Sequence, residues 1–145
     1  MDHHLILRVV TKLLIAPILL FALYVQFHGE YSPGGGFQAG VIFAVGFILY
    51  GLVFSLGQLR RLVPDWVVHR LVALGTLIYA GTGVASLLMG GNYLDYDVLF
   101  ADRIDGQHYG IIIIEFGVGL TVFSVMLTIY YAFAGRPPRL EDRDW

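Results

Sequence analysis

Glu115 stands inside a long apolar run, between Ile111-Ile112-Ile113-Ile114 and Phe116-Gly117-Val118-Gly119. An ionised carboxylate in hydrocarbon is costly, so such a residue faces protein or water, pairs with a base, or changes its protonation state. On one helical face it has His108 to one side and Gly119 and Val122 to the other, small enough to admit water or a neighbouring helix. Two roles fit: a proton or cation relay in a transport path, or a carboxylate held by a partner subunit that only fixes packing. Lys12 is the other charge set into an apolar run. Counting 1.5 Å per residue from opposite ends of a ~30 Å layer leaves a gap of roughly 10 Å between Lys12 and Glu115. Direct pairing is therefore not expected, and Lys12 suits a snorkelling anchor. His28 and His108 fall at the ends of apolar runs, and histidine is the residue type suited to accepting protons in an entrance. Two histidines without a third ligand do not make a metal site.

The most specific stretch is His28 to Gly40, His-Gly-Glu-Tyr-Ser-Pro-Gly-Gly-Gly-Phe-Gln-Ala-Gly, which joins two apolar runs through a short turn. Pro33 fixes its own φ, Gly34, Gly35 and Gly36 are free to take φ > 0, and Phe37 follows. Small residues at Gly36, Gly40 and Ala44 then recur four apart, the usual device for close contact between membrane helices. Gly34-x-Gly36-x-x-Ala39 matches the dinucleotide fingerprint only as a string: it lies between two helical runs, and the position for the required acid is Leu59. No Lys-Ser/Thr pair follows the glycines, so it is not a phosphate loop either.

The elements that position these residues are membrane spans. Of 145 residues, 57% are hydrophobic and 14% charged, against about 25% charged in soluble domains. The apolar residues come in runs long enough to cross a bilayer. The chain is expected to be an all-α integral membrane protein with four transmembrane helices, at about 5–27, 38–57, 66–89 and 109–134, forming one domain. Pro17 should kink the first. Gly81-xxx-Ala85 and Thr82-xxx-Ser86 offer contact positions on the third. A polar loop, 92–107, carries Asp95, Asp97, Asp102 and Asp105, a solvated face that would also concentrate cations, and residues 135–145 form a polar tail. The chain has no cysteine, which excludes disulfides and thiolate metal sites, and no nucleophile, ligand cluster or cofactor motif points to an enzyme. Nucleic acid is not an expected partner, and a cleaved leader is not expected because the first apolar run is too long.

Four spans place both termini on one side. Of the nine Lys and Arg residues, only Arg103 falls on the other side, so the termini are expected in the cytoplasm and the glycine turn and acidic loop outside.

Ile6-Leu7-Arg8-Val9-Val10-Thr11-Lys12-Leu13-Leu14, then Pro17, then His28-Gly29 with Ser32-Pro33-Gly34-Gly35-Gly36-Phe37-Gln38-Ala39-Gly40, resemble the B subunit of Mrp/Mnh-type multisubunit Na+/H+ antiporters. The similarity returns at Gly106-Gln107-His108-Tyr109-Gly110 and at Glu115-Phe116-Gly117-Val118-Gly119-Leu120-Thr121-Val122. Ala39 stands where the family more often has Gly. The resemblance implies a small subunit without a cofactor, in a multi-pass complex of the bacterial cytoplasmic membrane. There it would pack among other Mrp/Mnh subunits in the lipid bilayer, and the whole complex would exchange Na+ for H+. The subunit would serve assembly and line part of the ion path, with Glu115, His28, His108 and Lys12 as the residues to examine. A second reading is a structural subunit of a related ion-pumping hydrogenase or redox complex.

Overall fold

The computed structural model describes residues 3–29, 34–100 and 102–136. Four long helices carry the apolar runs: α1 (His3–Phe27), α2 (Gly36–Phe54), α4 (Asp65–Leu88) and α5 (Arg103–Ala134). Each is long and apolar enough to span a membrane, and among the described residues there is no strand. A short α3 (Leu56–Leu62) joins α2 to α4, and one 3-10 turn (Tyr96–Val98) lies between α4 and α5. α1 runs through Pro17 without a break.

Two boundaries differ from the sequence expectation for physical reasons. The second span stops at Phe54, three residues short of Gly57, because the chain reverses at Ser55. That residue adopts φ 129, a region that disfavours a Cβ, and its hydroxyl accepts a hydrogen bond from the Gln58 amide (3.3 Å) to open α3. α3 then tucks the fully buried Leu59 against Gly51. The fourth helix starts at Arg103, six residues before Tyr109, because the Asp102 carboxylate caps it by accepting from the Ile104 amide at 3.0 Å. The polar Arg103–His108 segment hides this turn and a half from a hydropathy reading. Of the polar tail, residues 137–145 lie outside the described residues.

α5 is the central helix. α2 packs on one side of it and α4 on another, while α1 lies along α2 and touches α5 only lightly. A core of Ala44, Leu59, Val68, Phe123, Leu127 and Tyr131 fills the end where α3 lies. Phe43 and Phe47 meet the Phe123 ring edge-on, each at 5.3 Å, and the Tyr131 hydroxyl donates to the Val63 carbonyl at 2.8 Å. In lipid the tails are as apolar as leucine, so burial alone does not drive these helices together. Backbone approach at small residues does. A methyl group on Gly75 would lie 2.7 Å from the Gly117 carbonyl oxygen, so here α4 and α5 meet main chain to main chain. Thr82, Ser86, Thr121 and Thr128 donate to carbonyls one turn back, which satisfies their hydroxyls where water is absent. Ser86 is buried, as a contact position should be, but Gly81 faces open space within this chain. The contact face of α4 is carried by Gly75, Gly83 and Ser86 instead.

Most basic residues gather at the α3 end. Arg60 lies over the Tyr131 ring (5.3 Å) and 3.5 Å from Asp65, Arg70 lies over Trp66 (4.7 Å), and Arg136 over Phe133 (5.2 Å). Arg103 sits at the other end, beside the loop. The two ends are called below the basic side and the turn side.

Candidate functional site

The glycine turn and Glu115 are one site. α2 and α5 run in the same direction, and the first residue of α2 lies directly on the main chain of α5 at Glu115. A methyl group on Gly36 would fall within the Glu115 peptide, 2.7 Å from its carbonyl carbon and 2.9 Å from its Cα, closer still to its carbonyl oxygen. Four residues further on the pattern repeats, with Gly40 against the Gly119 carbonyl oxygen at 2.5 Å. This close register brings the Glu115 side chain under the turn. Methyl groups placed on Gly29 and Gly35 would each come within 2.9 Å of its Oε1, and one on Gly29 within 2.8 Å of its Oε2. The carboxylate therefore lies against bare main chain just beyond α1 and just before α2. The start of α2 carries the partial positive charge of its free amides, so an anion beside it is stabilised.

The glycines differ in what they supply. Gly35 has φ 133, a conformation that residues with a Cβ rarely take. Gly36, expected to need φ > 0 as well, is an ordinary helical residue and needs only the absence of a side chain. Gly34 is half-buried, Gly40 is buried, and Phe37 points outward, 60% exposed. Pro33 lies outside the described residues.

The other expected site residues are distributed around this point. His28 adjoins Gly29 and stacks its ring on Tyr24 at 4.2 Å. His108 is two turns above Glu115 on the same face of α5, with its ring edge-on to Tyr109 at 5.4 Å. Lys12 is not part of the site: its Nζ lies 5.6 Å from the Phe54 ring centre, at the basic side. From Lys12 to Phe27 α1 rises about 22 Å, more than twice the roughly 10 Å gap expected from sequence. That estimate placed both spans symmetrically in one layer, whereas Glu115 is level with the very end of α1.

Sequence reasoning named Gly119 only as a small neighbour of Glu115, and it did not single out Gly29 or Gln26. A methyl on Gly119 would meet Gln26 Oε1 at 2.7 Å and the Gly36 carbonyl at 3.0 Å, so three helices converge one turn below Glu115. An open apolar groove of about 230 Å³ continues from there towards the basic side, between Phe27, Ala22, Phe43, Phe116 and Leu120. A glutamine in the last turn of α1, after an apolar stretch that begins at Leu13, was the available signal.

The acidic loop is folded onto itself rather than presented as an open funnel. Asp97 accepts from Gln107 Nε2 (2.6 Å) and from Arg103 Nη2 (2.6 Å) and Nε (3.1 Å), Asp95 accepts weakly from the Asn92 amide (3.4 Å), and Asp102 caps α5. The hydrogen bonds from Gln107, and then from Arg103, hold the Asp97 carboxyl below its ordinary value. A depressed value means that this latch contributes above the ordinary Asp pKa of about 3.9 and is lost only as pH falls through the lower folded value. Amide exchange over 96–107, corrected for its intrinsic rate, is thus expected to be unchanged from about pH 8 to about pH 5.5. Asp97→Asn should make it a few-fold faster, and equal rates in the two proteins would show the latch to be inert.

Known proteins are similar to this chain in sequence. A family model described as a domain related to the MnhB subunit of Na+/H+ antiporter matches residues 6–128, an interval that contains the turn, Glu115, all of α2 and α4 and most of α1 and α5. A protein of Staphylococcus haemolyticus (strain JCSC1435) described as antiporter subunit mnhB2 is 33% identical over 138 residues, covering 92% of this chain and 96% of its own. The protein so described in Staphylococcus aureus (strain Newman) is 32% identical with the same coverage. With near full-length similarity to such proteins and a family match spanning most of its residues, the chain belongs to the family of domains related to the MnhB subunit of Na+/H+ antiporters.

Proposed function

We infer that the chain is a membrane subunit of a multisubunit Na+/H+ antiporter, and that Glu115, held under the glycine turn, is the residue through which it takes part in exchange. Its partners are the other Mrp/Mnh subunits, and its setting is the bacterial cytoplasmic membrane with both termini in the cytoplasm. The crowding of Arg and Lys on the basic side supports that orientation. The family and its relatives are described as antiporter components, which does not favour the scaffold of a redox complex as the reading.

One observation carries the role of Glu115: its carboxylate oxygens abut the main chain at Gly29 and Gly35. A carboxylate that merely filled space between helices has no need of two glycines around its oxygens. Pressed against helix-end main chain, with His28 next to Gly29 in the chain and His108 two turns above on α5, it suits the uptake and release of a proton or a small cation. The turn's further role is assembly, because it fixes the register of α2 on α5.

Gly29→Ala separates these two roles. The added methyl meets chiefly the flexible end of Glu115, so the helices can stay in place while the carboxylate moves. The complex is expected to assemble with normal content of this subunit and to exchange Na+ for H+ at a rate lowered about tenfold, the scale on which small displacements at a reacting group act. Normal exchange in an assembled complex would count against a role for the carboxylate's position.

A further inference from the structure

On the basic side α1 extends past its neighbours. A methyl group on Gly46 of α2 would meet Leu19 Cδ2 at 2.9 Å and Ile18 Cγ2 at 3.6 Å, which sets the register of the two helices. From that level α2 continues about 12 Å to Phe54, whereas α1 continues about 22 Å to His3. Among the described residues no other long helix reaches so far. α2 and α5 end together, since from Gly40 against Gly119 they run a further ~21 and ~22 Å. α4 meets α5 at Gly75 and Thr121 and starts at Asp65, about 15 Å away, while α5 runs about 20 Å from Thr121 to its end. α3 lies beside these ends, with Leu59 against Gly51 and Leu56 near Gly135. Burial marks the same step. Thr11 is 2% exposed, but Leu7, one turn nearer the N-terminus on the same face, is exposed.

The overhang, from His3 to Val10, calls for an apolar environment that this chain does not supply. At 100° per residue Leu5, Ile6, Leu7, Val9 and Val10 take up most of its circumference and Arg8 the rest. All five aliphatic side chains are exposed, Ile6 at 69%. A helix that is apolar on nearly every side is a buried one. Lipid is not placed to bury it. Rings with arginines over them, Tyr131 under Arg60 and Trp66 under Arg70, mark the basic-side boundary, and Lys12 holds its Nζ over Phe54 at the end of α2. Leu7 and Leu5 lie about 10 and 13 Å outside the level of Tyr131, beyond the ~5–8 Å depth of one headgroup layer. By composition residues 137–145 are a poor cover, because Arg139, Glu141, Asp142, Arg143 and Asp144 leave them Leu140 and Trp145 as large apolar side chains.

We propose that the overhang is a peg by which this chain docks into another subunit of its complex, in an apolar cleft that turns a carboxylate towards Arg8. Such a cleft covers the aliphatic side chains, and a guanidinium enclosed with them needs an anionic partner. Within this chain α1 is held almost wholly by α2, so the peg gives it a second anchor. Because α1 runs through Pro17 without a break, that anchor acts on the whole helix. The proposal rests on the reading above for the identity of the complex, while the contact itself is independent of exchange.

Photochemical cross-linking in native membranes tests it. Benzoylphenylalanine in place of Ile6 should, on irradiation, join this chain covalently to another subunit, identified by mass; the same probe in place of Val9 gives a second reading if the first prevents assembly. Ile6→Asn should lower the amount of this chain recovered through a larger subunit about fivefold, the scale of burying an unpaired amide, whereas at a site open to headgroups or water it would change nothing. Adducts confined to lipid, to residues 137–145 or to a second copy of this chain, or no adduct at either position, would overturn the peg. Any of these would leave the exchange role of Glu115 to be judged by flux. An adduct with a subunit of a redox complex would uphold the peg and contradict the antiporter reading instead.

Discussion

Gly36→Ala is expected to remove this subunit from its complex. The new Cβ would occupy the space of the Glu115 peptide, and neither main chain can yield without moving a helix. Ordinary overpacking costs about 1–3 kcal/mol and is relieved by side-chain shifts. Here no side chain is available to shift, and α2 must slide or tilt away from α5. The displacement propagates along the shared register to Gly40 and Gly119, and α1, which lies along α2, goes with it. Purification through a larger subunit should recover less than about a tenth of the normal amount of this chain, a loss of the kind expected beyond ~1.4 kcal/mol of lost association. A normal yield of Gly36→Ala would mean that α2 and α5 are further apart than described. The contrast with Gly29→Ala is the informative part. The two residues belong to one turn, yet one faces main chain and the other the end of a side chain.

Much of this was legible from the residues. The four apolar runs gave four membrane helices, because nothing in them competes with the helix for backbone hydrogen bonds in lipid. The glycine turn declared itself by composition, and Glu115 by being a charge in hydrocarbon. What the residues did not show was that the two are in contact. Glu115 is about 80 positions from Gly35, and only the parallel packing of α2 on α5 joins them. Hydropathy also hid where the helices stop. Asp102 caps α5 well before its apolar part begins, and Ser55 reverses the chain while the residues are still apolar. The charge count of the acidic loop suggested a solvated face but not its internal order: Asp97, Asp95 and Asp102 each accept local hydrogen bonds. Lys12 was rightly kept apart from Glu115, though the distance was underestimated.

Glu115→Gln is expected to leave the complex assembled and to abolish most of its exchange. The amide has nearly the shape of the carboxyl and keeps an acceptor oxygen against the turn, so α2 and α5 lose no contact. It cannot ionise, and its NH2 replaces one acceptor by a donor. If exchange passes through this carboxylate, the variant has no group there to take up and release a proton or to balance a cation, and flux should fall by about 100-fold or more, the scale of losing a positioned acid–base group. Glu115→Asp keeps the charge but withdraws it by one methylene, so it should retain part of the activity. The deciding measurement is Na+-dependent proton flux in vesicles carrying Glu115→Gln complex, normalised to the content of this subunit. The account requires normal content with flux reduced to a few per cent. Normal content with unchanged flux and an unchanged pH profile would contradict it.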